Sequence, residues 1–200
     1  MDYSFEENAL SKGFKTICGI DEAGRGPLAG SVYAAAVILP LGLEITGLND
    51  SKKLSEKKRE ELFDVICEKA VDFSIGIADE IEIDEINILN ATFLAMKRAV
   101  DGLKIKPDYA LIDGNRYPRI GGVTEEAIVK GDGKSMSVAA ASILAKVSRD
   151  RYMLEIAEKY PQYCFEKHKG YGTKLHYEML EKYGISPVHR KTFLKKLLGE

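Results

Sequence analysis

An α/β fold, with a mixed sheet covered by helices and a helical C-terminal end, is predicted from three observations. Apolar strand-like segments and helical periodicities follow one another as strand, strand, helix, strand, helix, strand, strand, and then helices. The first two strands are joined by a short glycine-rich link, which favours an antiparallel pair. From about residue 135 onward the pattern is helical. A chain of 200 residues fits one domain, 1–200, with about 161–200 as a helical extension.

In chain order, residues 14–20 read as a strand ending at Asp21, and residues 31–39 as a second, mostly buried strand stopped by Pro40 and Gly42. Ser55, Lys58 and Glu60 open a helix whose apolar face is Leu62, Phe63, Val65 and Ile66. Phe73 to Ala78 is a third strand. Residues 81–101 keep Ile83, Ile86, Leu89, Ala91, Leu94 and Ala95 close to the 3.6-residue period, so one long helix is expected. Tyr109 to Ile112 is a short strand ending at Asp113-Gly114, and residues 115–122 form a loop. Val123 to Val129 is the fifth strand, although Glu125 and Glu126 fit it poorly. A turn at residues 130–134 leads into a helix from Ser135 or Ser137 to about Tyr160, which Pro161 stops. Two further helices, 173–183 and 189–198, complete the chain.

Composition narrows the function classes. With 45% hydrophobic and 30% charged residues, the chain can bury a core without disulfides or a structural metal. Cys18, Cys67 and Cys164 are odd in number and form no CxxC, which argues for a reducing compartment and against a zinc site. The first 15 residues carry Asp2, Glu6 and Glu7 and no apolar run, so no signal peptide is expected. No stretch is long and apolar enough to span a membrane, and a cytoplasmic protein is the expectation. The formal net charge of −2 is unevenly spread: residues 146–200 carry 12 Lys and Arg against 7 Asp and Glu. Residues 51–60 form a second basic patch. Basic flanks around an acidic centre suit an enzyme that binds metal and grips a polyanion, although solvated helix faces would give the same charges.

The acids carry the chemistry. Asp21-Glu22 and Asp113-Gly114 each end an apolar strand, and Asp132 lies in a glycine turn before a long helix. Adjacent strands are about 5 Å apart, so strand-end acids can meet at one edge of a sheet. Successive side chains alternate faces, so Asp21 and Glu22 share a site only if the strand stops or twists there. Convergent carboxylates without His or Cys select a hard cation, Mg²⁺ or Mn²⁺. Taken singly, Asp113 and Asp132 also fit plain turn or cap residues. Gly24-Arg25-Gly26 with Gly30 has the spacing GxGxxxG, interrupted by Pro27 and preceded by two acids, which disfavours a dinucleotide site. Gly24 and Gly26 instead let backbone approach a phosphate or sugar that Arg25 helps to hold. His168, His176 and His189 have no metal spacing and read as surface residues. Tyr171, between two glycines and beside basic residues, is either a stacking platform or an ordinary loop tyrosine.

Six motifs together resemble type 2 ribonuclease H, the bacterial ribonuclease HII family: GIDEAGRGPLAG at 19–30, DSKKL at 50–54, LIDG at 111–114, KGD at 130–132, AASILAK at 140–146 and HKGYGT at 168–173. They occur in the family's order along nearly the whole chain. The short segment before the first strand favours HII over ribonuclease HIII, which carries an extra N-terminal domain. The resemblance implies a ribonuclease H-like fold, a mixed five-stranded sheet flanked by helices, with a helical C-terminal extension. It also implies endonucleolytic cleavage of RNA in RNA–DNA hybrids and of single ribonucleotides embedded in duplex DNA. The family's four catalytic and metal-holding acids match Asp21, Glu22, Asp113 and Asp132. Its 2′-hydroxyl-sensing motif matches Gly24, Arg25 and Gly26, and its deoxyribose-stacking tyrosine matches Tyr171. Two divalent ions, Mg²⁺ or Mn²⁺, clamp the scissile phosphate in this scheme. Phosphate contacts are expected from Lys52, Lys53, Asn90, Lys146 and Arg149. The partners are nucleic acid only, with no membrane, and the protein is expected to be a monomer. A non-catalytic nucleic-acid-binding module is disfavoured, since anions facing phosphate would only weaken binding.

Overall fold

A computed structural model describes residues 1–199 of the chain; Glu200, the last residue of the expected extension, lies outside them. The five strands are β1 (Ile17–Ala23), β2 (Val32–Ile38), β3 (Asp72–Ala78), β4 (Tyr109–Asp113) and β5 (Thr124–Ile128), in the sheet order β3-β2-β1-β4-β5. β1 pairs antiparallel with β2 and parallel with β4, so the central strand joins the antiparallel and parallel halves of the sheet. The helices are α1 (Ser4–Ser11), α2 (Glu56–Lys69), α3 (Glu80–Asp101), α4 (Met136–Lys159), α5 (Phe165–His168), α6 (Lys174–Tyr183) and α7 (Lys195–Leu198).

Side-chain alternation along β2 divides the core in two. Val32, Ala34 and Ala36 face α3, where they meet Ile83, Ala91 and Ala95. Ala35 and Val37 face the other way, onto the Ala-rich start of α4 and onto Leu62 and Ile66 of α2. Small side chains let α4 lie close to the sheet. At Gly19 of β1, a Cβ would sit 2.1 Å from the backbone of Ser137, so only glycine fits.

Four features depart from the sequence reading. β1 does not end at Asp21: its pairing with β2 continues through Glu22 and Ala23, because β2 supplies a full antiparallel partner there. α3 is broken at Asn87 (φ 66°, ψ 162°), whose side chain accepts from the amides of Leu89 and Asn90 and restarts the helix as a cap. The expected helix 189–198 is instead an isolated bridge between His189 and Ala29, a 3₁₀ turn at Lys191–Phe193 and the short α7. Helix α1 was not expected. It carries the buried Glu6, whose Oε1 accepts from the Ser135 hydroxyl and the Ser137 amide and so fixes the start of α4.

A third cluster packs Leu28 and Ala29, from the link between β1 and β2, against Met153, Ile156, Phe165, Leu180 and Val188. The C-terminal elements are therefore docked on the glycine-rich link. Among the described residues, no helix is long and apolar enough to cross a membrane.

Candidate active site

Parallel pairing of β1 with β4 runs from Ile17–Tyr109 to Ile20–Ile112, which leaves Asp21 and Asp113 side by side just beyond the last pair. Asp132 comes from the 3₁₀ turn Gly131–Gly133 that leads into α4. The turn is tied to the sheet by the Gly131 amide, which donates to Asp113 Oδ1 at 2.7 Å. Carboxylate oxygens of Asp21, Asp113 and Asp132 lie within 4.8 Å of one another.

Glu22 stands outside this trio. It follows Asp21 in an unbroken strand and so points toward α3, with its carboxylate 3.3 Å from Arg25 Nη1. Asp113 lies near enough to raise the pKa of both Asp21 and Glu22. Asp21 and Glu22 thus line one cleft while Glu22 stays outside the 4.8 Å carboxylate group.

The electrostatics fit a cation. Burial pushes the Asp21 carboxyl well above its usual range, and the charges of Glu22 and Asp113 push it further, although a Ser142 hydrogen bond opposes them. Burial, Asp113 and Asp50 likewise raise Asp132, and burial raises Glu22 against the pull of Arg25. Three oxygen donors this close repel one another, and the trio contains neither sulfur nor imidazole. Such a donor set suits a hard divalent cation.

A cleft of about 220 Å³ opens on Asp21 and Glu22. Gly24, Arg25, Gly26 and Tyr171 line one side, and Lys52 and Lys146 the other. Lys52 sits on a 3₁₀ turn whose cap, Asp50, accepts from its amide, and its Nζ is 3.6 Å from Asp132. Burial works against the Lys52 charge, but Asp132, Asp21, Asp50 and Asp113 together raise its pKa. Lys146 pairs with Asp150 at 2.6 Å.

Three of the expected phosphate contacts are placed differently. Lys53 turns away to Asp50 at 3.9 Å and does not line the cleft. Asn90 lies on α3 in a separate groove and donates to the Ile86 carbonyl. Arg149 is fully buried, and burial lowers its pKa. Its Nε donates to the Ser31 carbonyl and its Nη2 to those of Ala29 and Lys169, so these donors hold the backbone beneath the glycine link at the wall of the cleft. Gly24 (φ +98°) covers it directly, since a Cβ there would be 2.1 Å from Arg149 Nε.

The sequence reading missed Arg190. It is fully buried and donates to the carbonyls of Gly24, Arg25, Pro27 and Gly30 at 2.6–3.1 Å. One planar guanidinium thereby fixes the whole turn that presents Arg25. Burial, reinforced by Arg149, lowers its pKa to about 9.

The three histidines are buried, contrary to the surface positions expected for them. His189 Nδ1 accepts from the Ser186 amide, which leaves its Nε2–H to donate to His176 Nε2 at 3.0 Å; His176 Nδ1–H then donates to the Tyr171 carbonyl at 3.0 Å. His168 stacks on His176 with centroids 4.4 Å apart, and its Nδ1 accepts from the Gly170 amide. The chain of neutral rings fixes the backbone under Tyr171. The tyrosine ring itself is 43% exposed at the cleft wall, within 3.7 Å of where a Cβ on Gly26 would sit.

The model of the family described as Ribonuclease HII matches residues 18–196. The ribonuclease HII of Caldicellulosiruptor bescii is 57% identical over 197 residues, covering 98% of this chain and 95% of the relative. That of Endomicrobium trichonymphae is 61% identical over 191 residues, covering 96% and 91%. Among solved structures, ribonuclease H2 from Pyrococcus horikoshii OT3 superposes with a TM-score of 0.73 at 29% identity, covering 89% of this chain and 93% of that one.

Proposed function

Since the chain belongs to the ribonuclease HII family and is a metal-dependent ribonuclease, we propose that it cleaves the RNA strand of RNA–DNA hybrids and cuts on the 5′ side of single ribonucleotides embedded in duplex DNA. The observation that carries this reading is one cleft in which Asp21, a member of the carboxylate trio, and Glu22 adjoin the Gly24–Gly26 turn and Tyr171. The acids supply metal ligands. The turn and the tyrosine supply a surface that backbone and sugar can approach closely.

Asp21, Glu22, Asp113 and Asp132 would hold two Mg²⁺ or Mn²⁺ ions, whose chemistry when bound is to activate a water and to stabilise the leaving oxygen in an in-line displacement. The remaining work belongs to the chain. Lys52, beside Asp132, offers a charge to the phosphate at the cut. Arg25 and the glycine backbone test for the 2′-hydroxyl, the group that distinguishes RNA from DNA. Arg190 and Arg149 act as positioning residues by holding that turn. Tyr171 packs against the adjoining deoxyribose. The products carry a 5′-phosphate on the ribonucleotide side and a 3′-hydroxyl. Contacts to phosphate rather than to bases give affinity without sequence preference. The protein acts as a monomer.

The test uses a labelled RNA–DNA hybrid with Mg²⁺ or Mn²⁺, together with calorimetric titration of Mn²⁺ into the free protein. Cleavage of the RNA strand, with both cleavage and Mn²⁺ binding lost in Asp21→Asn, is the expected result. A wild-type protein that neither cuts the hybrid nor binds Mn²⁺ would end this reading.

A further inference from the structure

Outside the acid cleft, a groove of about 730 Å³ runs between α3 and the loop that follows β4. Its polar lining is Asn90, Lys97, Asn115, Arg116, Tyr117 and Arg119, and no acid lines it among the described residues. Lys97, Arg116 and Arg119 form no ion pair among the described residues. Three cations facing one groove, Lys97 from α3 and Arg116 and Arg119 from the loop, without a counter-charge need a reason, in a chain whose net charge is −2.

The loop is held in shape. Both Glu125 carboxylate oxygens take backbone amides, those of Arg119 and Ile120 at 3.2 and 2.8 Å, while Pro118 and Ile120 are buried beneath it. Arg119 itself has φ +58°, a left-handed conformation disfavoured for a residue with a Cβ. Tyr117 is 51% exposed on this rim.

The groove is continuous with the active site. A smaller hollow of about 70 Å³ shares Asn115 and Arg116 with it and is closed at its other end by Glu22, Arg25 and Asp113. Beyond Ile86 and Asn90 the surface turns acidic at Asp84 and Glu85, which sets the far limit.

We infer that this groove is a second nucleic-acid subsite, carrying the duplex away from the cut on the α3 side. Lys97, Arg116 and Arg119 pair with backbone phosphates, and Tyr117 lies against a sugar or base. The occupant follows from charge complementarity and from continuity with the cleft: a polyanion threaded past Arg25 and Asp113 meets Arg116 next. Asn90 belongs to this subsite, apart from the phosphates at the acids. The inference rests on the nuclease reading of the acid cleft.

The experiment measures binding of a single-ribonucleotide DNA duplex by fluorescence anisotropy in an Asp21→Asn background with Mg²⁺ across a salt series. The added substitutions are R116Q/R119Q and, separately, K97Q. Lys12→Gln, at the C-cap of α1, serves as the control for loss of one exposed charge. Each lost phosphate contact flattens the slope of log affinity against log salt by about 1, so R116Q/R119Q should flatten it by about 2 and weaken binding roughly tenfold at moderate salt. K97Q should flatten it by about 1, and Lys12→Gln should leave it unchanged. In the cleaving protein, R116Q/R119Q should raise KM. Affinity and slope equal to the parent in both groove variants would overturn the subsite while leaving the nuclease reading intact. A wild-type protein that fails to cut either a hybrid or a single-ribonucleotide duplex would instead overturn the nuclease reading. Circular dichroism confirms that the groove variants fold.

Discussion

Replacing Arg190 with methionine tests whether the Gly24–Gly30 turn is held from beneath. The side chain is fully buried and makes five donations to four carbonyls. Methionine keeps much of the volume and removes every donor. A buried carbonyl left without a partner costs about 1–3 kcal/mol. If the turn relaxes enough to hydrate two of the four, the remaining two cost about 4 kcal/mol, which is in the range for breaking a buried charged network. For a chain of this size, 1 kcal/mol moves Tm by about 2–4 °C, so thermal unfolding followed by circular dichroism should show a drop of about 8–16 °C. The released turn no longer fixes Arg25 and Gly26, and misplacement by about 1 Å can cost on the order of 100-fold in rate. Cleavage of a single-ribonucleotide duplex should therefore lose at least that factor at temperatures where the variant is folded. A Tm within about 3 °C of wild type, with unchanged kcat/KM, would refute the reasoning: the turn would then be shaped by its own sequence.

Asp21→Asn should abolish cleavage yet raise Tm in metal-free buffer near neutral pH. Its carboxyl is driven above the normal range by burial and by neighbouring acids, so ionisation there opposes folding; a lower metal-free Tm would contradict this. The histidine chain makes stability fall on acidification. Burial holds His176 and His189 at about 4 against 6.5 in the unfolded chain. Between those values the unfolded state binds more protons, so stability is present in full above about pH 6.5 and is lost as pH falls toward about 4, by on the order of 3 kcal/mol for one ring. Tm measured with Mg²⁺ from pH 7 to 5 should decline, and a flat profile would remove the neutral-ring assignment. Tyr171→Ala should impair cutting at a single ribonucleotide more than cutting of a long hybrid; the reverse order would separate Tyr171 from the junction.

The acids were legible because their signal is local. An apolar strand that stops on Asp113 before Gly114, or a KGD turn ahead of an Ala-rich helix, can be read within a few residues, and the parallel pairing of β1 with β4 then brings Asp21 beside Asp113. The mixed sheet was legible for the same reason, from its apolar runs and breakers. The histidines and Arg190 were not. Arg190 bonds to carbonyls far away in sequence, the histidines to backbone groups of nearby loops, and neither kind of partner has a sequence signature. Arg149 reads as a surface arginine on a helix until the glycine turn is laid over it. Asn87 interrupts an intact hydrophobic period, and only its capping bonds reveal the break. Glu6 gains its role from a contact with the start of α4, more than a hundred residues away.

Two jobs meet at one cleft in this reading: carboxylates hold the metals, and a braced glycine turn selects the position of the cut. The most direct measurement maps cleavage, at single-nucleotide resolution, in a DNA duplex carrying one ribonucleotide with Mg²⁺ or Mn²⁺. A single cut on the 5′ side of the ribonucleotide, with an all-DNA duplex left intact, is the predicted result. Equal cutting of both duplexes, or a cut elsewhere, would contradict the account.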